Sequence, residues 1–186
     1  MNIEIRKETP QDYFETEAMT RRSFYNVYGR GCDEHLLVHK LRTHKDYLPD
    51  CSRIALVDGK IAGTIMFFKC VIHGEEKDVE IASFGPLCVD HKYKNCGIGR
   101  KLLEATIPLV KEAGFPGIVI FGEPEYYPKF GFKRGREFGL SGMDGNVSDP
   151  FMGLELVEGG LQIKGGKFEE SSVVEECTEE ALAELD

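Results

Sequence analysis

Two apolar runs of strand length, Ile54-Ala55-Leu56-Val57 and Ile61-Ala62-Gly63-Thr64-Ile65-Met66-Phe67-Phe68, flank Asp58-Gly59. Asp-Gly accepts the positive φ angles of a tight hairpin, so the runs are expected to pair antiparallel. A polar turn around Gly74-Glu75-Glu76 leads to a third strand, Val79 to Val89. The period then changes. Leu102, Leu103, Leu109, Val110 and Ala113 fall on one face of a helix running from about Ile98 to Ala113, with Gly114 as its stop. Pro108 predicts a bend or a break within it. Ile118-Val119-Ile120-Phe121 is a further strand, the parallel neighbour of Val79–Val89. Gly85-Pro86 interrupts the Val79–Val89 run, and proline cannot donate to a ladder, which predicts a bulge and a splay from that neighbour.

Upstream, Ile3 to Arg6 reads as a short strand, and Thr9-Pro10-Gln11 opens a helix expected to reach about Val27. Tyr25 to Gly31 breaks that pattern as a loop. Asp33 caps a second helix bearing Leu36, Leu37, Val38 and Leu41, ending before Pro49. Downstream, Arg136 to Asp149, with Gly139, Gly142 and Gly145, reads as a loop able to border a site. Phe151 to Val157 is a strand and Leu161 to Lys164 a second one. Ser172 and Thr178 begin short helices in an acidic end prone to fray.

Chemistry concentrates where the Val79–Val89 strand meets the following helix. Gly97 and Gly99 let the backbone turn sharply and a ligand approach it closely. A helix start carries unpartnered N–H groups and about half a positive charge, so acidic residues normally occupy it. Here Arg100 and Lys101 stand in that first turn, with Lys92 and Lys94 just upstream. A bound polyanion would resolve the conflict. No G-K-[ST] follows, which excludes a Walker loop, and the third glycine of the dinucleotide fingerprint is missing.

Charge sharpens this reading. The net charge is −9, but residues 168 to 186 hold seven Glu and one Asp without a base, so the remainder is close to neutral. That excludes a general nucleic-acid binder. No apolar run approaches the roughly 18 residues of a membrane helix. Cys32, Cys51, Cys70, Cys88, Cys96 and Cys177 show no C-x-x-C spacing, and the chain opens on a strand instead of a signal peptide. A reduced, cytoplasmic protein with free thiols is expected. Nothing calls for a metal.

The run from Gly85-Pro86-Leu87-Cys88-Val89 through Gly97-Ile98-Gly99-Arg100-Lys101-Leu102-Leu103 resembles the acetyl-CoA-binding motif of the GNAT superfamily of N-acetyltransferases, [QR]-x-x-G-x-[GA]. Lys94 stands where that family prefers Gln or Arg. The resemblance covers roughly residues 3 to 135. It implies an α/β (α+β) fold: a mixed, mostly antiparallel central sheet, helices on both faces and a splayed parallel pair forming the acetyl-CoA cleft. A single N-acetyltransferase domain over 1–167 would be followed by an acidic tail over 168–186. Donor contacts are implied at Leu87, Val89, Lys94, Asn95, Cys96, Gly97, Ile98, Gly99, Arg100 and Lys101. Tyr127-Pro128-Lys129-Phe130-Gly131-Phe132 resembles a second family motif, whose tyrosine protonates the departing CoA thiolate; that role falls on Tyr127 instead of Tyr126.

The implied reaction is direct acetyl transfer to a primary amine of a small acceptor, with the Val89 N–H as donor to the developing oxyanion. The amine must be neutral to attack, so a base is wanted. Counting back from Gly97, the position of the family's strand glutamate is Ser83; Glu80 is the candidate base, with Glu123, His91 and a water relay as alternatives. Tyr25, Tyr28, Asp33 and Glu34 are candidates to line the acceptor pocket. A homodimer is left open. The competing readings are a non-catalytic acyl-CoA sensor and a nucleotide-binding module using the same cationic turn.

Overall fold

A computed structural model of the chain describes residues 1–185; Asp186, the last residue of the expected tail, lies outside them. Strand pairing is mixed and mostly antiparallel, as expected. The described residues divide into two compact units, one of residues 1–67, 85–109 and 172–185, the other of residues 68–84 and 110–171. Two strands, β3 (Lys60–His73) and β4 (Asp78–Val89), contribute to each.

The first unit begins with β1 (Ile3–Arg6), which pairs antiparallel with β2 (Arg53–Val57). β2 pairs with β3 through the expected hairpin, Asp58 and Gly59 having φ of 48° and 80°. The Asp58 carboxylate accepts the Asn2 N–H at 2.9 Å, so the turn also anchors the start of β1. Ala55 faces Gly63 while Leu56 faces Ile61, which leaves Ala62 as a bulge. Met19, Ile54, Leu56, Ile61 and Cys88 form one buried cluster.

Helix α1 (Tyr13–Phe24) follows a single 3-10 turn, Pro10–Asp12, in which the Asp12 carboxylate accepts both the N–H and the hydroxyl of Thr9. It ends short of the expected Val27 because Asn26 turns left-handed (φ 60°) and clamps the loop. Asn26 N–H donates to Gly31 O at 3.0 Å, and its side-chain oxygen accepts the Gly31 N–H at 2.7 Å. α2 (Glu34–Leu41) starts after Asp33 as expected. Arg42, at its end, is almost wholly buried between Glu8 and Glu17, with its guanidinium 4.0 Å from the centre of the Tyr13 ring.

Helix α3 (Ile98–Glu112) runs through Pro108 unbroken. Val110, beyond the proline, is fully buried, and that burial outweighs the one backbone bond that proline removes. The tail forms α4 (Ser172–Glu175) and α5 (Glu179–Leu185), both packed against α2. Thr178 caps α5 by accepting the Ala181 N–H at 3.2 Å.

In the second unit, β4 runs parallel to β5 (Gly117–Phe121), with pairing confined to Ala82↔Ile118. β5 is then fully paired with β8 (Phe151–Glu155), which also pairs with β6 (Lys133–Arg134). β9 (Lys167–Glu169) pairs antiparallel with β3 and parallel with β7 (Ser141–Gly142). The 136–149 stretch, expected as a loop, therefore carries a two-residue strand. Leu161–Lys164, expected as a strand, is a turn. The side chain of Leu161 fills the space that Gly117 and Gly153 leave by lacking a Cβ, which fixes it as a plug for the sheet face.

Candidate active site

Strand β4 enters the site with alternating sides. Cys88 is buried against Met19 and Thr20, its thiol pushed up to about 12 by burial, while Leu87 and Val89 are partly accessible on the other face. Asp90 N–H donates to Ala62 O of β3 at 2.8 Å. Peptide groups alternate along a strand, so the N–H groups of Leu87 and Val89 point to the edge of β4 away from β3. The Gly85-Pro86 peptide just before them is cis. Cys88 is thus an inert core residue, and the two implied contact residues share one edge.

A 3-10 turn over His91–Tyr93 follows, and the chain then makes two left-handed steps, Asn95 (φ 60°) and Gly97 (φ 77°), into α3. Such alternation of backbone handedness aims successive N–H groups at one point, which favours an anion. Lys101 N–H reaches back to Gly97 O at 3.0 Å, so helix geometry leaves Ile98 and Gly99 N–H without an acceptor inside the helix. Lys92, Lys94, Asn95, Cys96, Arg100 and Lys101 are exposed, and Arg100 pairs with Glu104 at 3.6 Å. Ile98 is buried and anchors the turn. Gly63 sets the depth of that anchor: a Cβ there would lie 2.9 Å from Cys88 O and 3.1 Å from the Ile98 side chain, so only glycine lets α3 start this close to β3.

The turn is braced by residues that have no signature in the sequence. Asp90 is buried, accepts the Lys92 N–H at 3.0 Å, and pairs with Arg22 of α1 at 3.2 Å. Arg22 also holds Glu15 at 2.8 Å, and His91 Nε2 lies 2.7 Å from Arg22 O. Burial opposes ionisation of Asp90, but the Lys92 N–H and the Arg22 guanidinium outweigh it and hold its carboxyl below the ordinary value. A lowered folded pKa contributes stability above the unfolded value near 4 and loses it as pH falls through the folded one. Asp90→Ala is therefore expected to cost on the order of 1–2 kcal/mol at neutral pH. In urea titrations the gap from wild type should narrow below pH ~4; a gap independent of pH would show that the charge is not what holds the turn.

A cavity of about 580 Å³ opens beside the end of α1. Tyr25, Tyr28, Asp33 and Glu34, the four candidate acceptor residues, all line it. So do Arg21, Arg30 and Leu182 of α5, which no local pattern groups with them. Burial pushes the Glu34 carboxyl up, and the neighbouring Asp33 adds to this, while backbone N–H groups and His35 offset it only partly.

Tyr127 and Glu80 belong to the second unit. The Tyr127 ring is held between Phe84, Tyr126 and Phe132, with ring centres 5.8, 5.0 and 5.6 Å away. A Cβ at Gly122 would lie 2.4 Å from that ring, so the glycine makes room for it. Tyr126 instead lies under the Lys129 ammonium at 4.0 Å. Glu80 is exposed and paired with Lys69 at 3.2 Å; Ser83 is buried, and Glu123 and His91 are exposed. Among the described residues no group of acids, histidines and cysteines is arranged to hold a metal, and no helix is long and apolar enough to cross a membrane.

Residues 50–134 match the acetyltransferase (GNAT) domain. The uncharacterized N-acetyltransferase YhbS of Escherichia coli K12 is 33% identical over 130 residues, 69% of this chain and 72% of that protein. This chain belongs to the GNAT acetyltransferases. Solved GNAT structures share its fold over nearly the full length. The crystal structure of E. coli YhbS in complex with CoA matches with a TM-score of 0.81 and 25% identity, covering 94% of this chain and 93% of that one. A Brucella melitensis GNAT acetyltransferase in complex with acetyl-CoA matches with a TM-score of 0.73 and 26% identity, covering 93% and 98%. The cationic turn of this GNAT chain lies within the matched domain.

Proposed function

We propose that the chain is an N-acetyltransferase that takes the acetyl group of acetyl-CoA and passes it directly to a primary amine of a small acceptor. The observation that carries this reading is the left-handed turn at Asn95 and Gly97, which aims backbone N–H groups outward amid four exposed cations at the start of α3. The CoA and acetyl-CoA complexes of its structural neighbours support the same donor. The turn from Lys94 to Lys101 would hold the pyrophosphate, and the free edge of β4 at Leu87 and Val89 would pair with the amide groups of the pantetheine arm.

In the reaction the neutral amine attacks the thioester carbonyl, forming the C–N bond. The Val89 N–H stabilises the oxyanion, the nitrogen gives up a proton to the base, for which Glu80 is the candidate, the C–S bond breaks, and Tyr127 protonates the departing thiolate. Thiol release from acetyl-CoA should depend on added amine; release at the same rate without any amine would contradict transfer. For the base, Glu80→Gln is expected to flatten the basic-side rise of the pH–rate profile, and an unaltered rise would clear Glu80 of the role.

A further inference from the structure

Resting on the reading that the chain acetylates an amine, we propose that the acceptor is a zwitterion: a primary amine that also carries a carboxylate, on an apolar body, seated in the cavity at the end of α1. At about 580 Å³ the cavity has the size of a small-molecule site. Its lining has three chemistries. Asp33 and Glu34 are consecutive and face the same space, and burial disfavours the charged form of Glu34. The pair would draw the amine in as its ammonium, restoring that charge, and the amine must then lose a proton before it attacks. Arg30 is exposed on the same cavity and supplies a guanidinium, the group suited to bidentate binding of a carboxylate. The second guanidinium, Arg21, already lies 5.6 Å from the centre of the Tyr25 ring.

Tyr25 and Tyr28 give exposed aromatic faces, and Leu182 of α5 adds an apolar one. A site selecting a polyamine would present acids without arginine, because a guanidinium repels a polycation. One selecting an uncharged arylamine would present neither sign. The end of α1 also lies beside the donor edge: Ser23, between Arg21 and Tyr25, donates its hydroxyl to Met19 O at 2.8 Å and sits 3.4 Å from the carbonyl oxygen of Val89. The C-terminal segment also has a role: α4 and α5 pack on α2, His44 just beyond α2 bonds Ser172 of α4 at 3.1 Å and pairs with Glu176 at 3.4 Å, and Leu182 of α5 reaches the cavity wall.

The test measures thiol release from acetyl-CoA by the full chain with three matched series: L-amino acids, their carboxamides, and the amines left when the carboxylate is removed, with spermidine alongside. An apolar L-amino acid such as L-phenylalanine or L-leucine is expected to exceed its carboxamide and its decarboxylated amine in kcat/KM by about tenfold or more. Arg30→Gln should lower the amino acid to the level of the carboxamide while the thermal stabilisation by acetyl-CoA stays unchanged. Leu182→Asp should reduce kcat/KM for the apolar amino acids alone. Carboxamides, simple amines or spermidine turned over as fast as the amino acids, or Arg30→Gln without effect on that ratio, would overturn the zwitterion assignment and leave amine acetylation standing. Release with no member of any series, while acetyl-CoA still stabilises the fold, would overturn amine acetylation itself.

Discussion

Tyr127→Phe is expected to lower kcat by roughly a hundredfold, with the affinity for acetyl-CoA nearly unchanged. The substitution keeps the ring and removes only the hydroxyl. The ring packing against Phe84, Tyr126 and Phe132 and the space opened by Gly122 should therefore survive it. What is lost is the proton for the leaving sulfur. A free phenol is ordinarily a weaker acid than a thiol, with pKa values near 10 and 8.5, so the transfer gains its driving force from the charge developing on sulfur in the transition state. A leaving group that needs no proton separates the two roles. A thioester of a strongly acidic thiol should be used by wild type and variant at similar rates, and an equal loss with both thioesters would point to a packing defect. An unchanged kcat with acetyl-CoA removes Tyr127 from the mechanism.

Gly97→Glu is expected to abolish binding of acetyl-CoA. At a hundredfold over Kd a ligand bound only by the folded state adds about 2.7 kcal/mol to stability, and this increment should vanish in the variant. Two effects combine. Gly97 has φ of 77°, where a side chain costs roughly 1–2 kcal/mol of backbone strain, and the new carboxylate would stand in the proposed phosphate site. Gly97→Ala shares the first effect alone, since a Cβ at this position meets open space. The alanine variant should therefore lose intrinsic stability and keep much of its ligand-dependent gain. If both variants lose the gain equally, the conformation of the turn and not its charge governs binding.

Much of the scaffold around the turn was legible because local chemistry determined it. Asp58-Gly59 accepts only a tight hairpin between two apolar runs, and the hairpin formed in the expected place. Cations at the wrong end of a helix dipole marked the turn before Arg100, which is a left-handed bend into α3 with those side chains exposed. The candidate acceptor residues share one cavity because the 25–34 loop is short and stapled by Asn26.

What was illegible depends on contacts between distant residues. Arg22 and Asp90 are 68 positions apart, and neither carries a signature of the other, although Asp90 at a strand end is a common turn-former. Gly63 lies inside an apolar run, where nothing local reveals that α3 rests on it. Leu161 sits in a sequence fit for a strand, but the glycines opposite it make it a plug. α3 continues past Pro108 because burial of its apolar face decides its length, a term that propensity omits. Leu182 reaches the cavity from an acidic segment whose composition suggested fraying.

The first measurement to make is thermal unfolding of the full chain with acetyl-CoA, CoA, ATP and NAD titrated separately. Stabilisation by acetyl-CoA and CoA, with ATP and NAD giving little, is the predicted result, since the edge of β4 at Leu87 and Val89 offers amide pairing that only the pantetheine arm can use. Stabilisation by ATP or NAD and none by the CoA compounds would contradict the assignment of the turn and make it a nucleotide site.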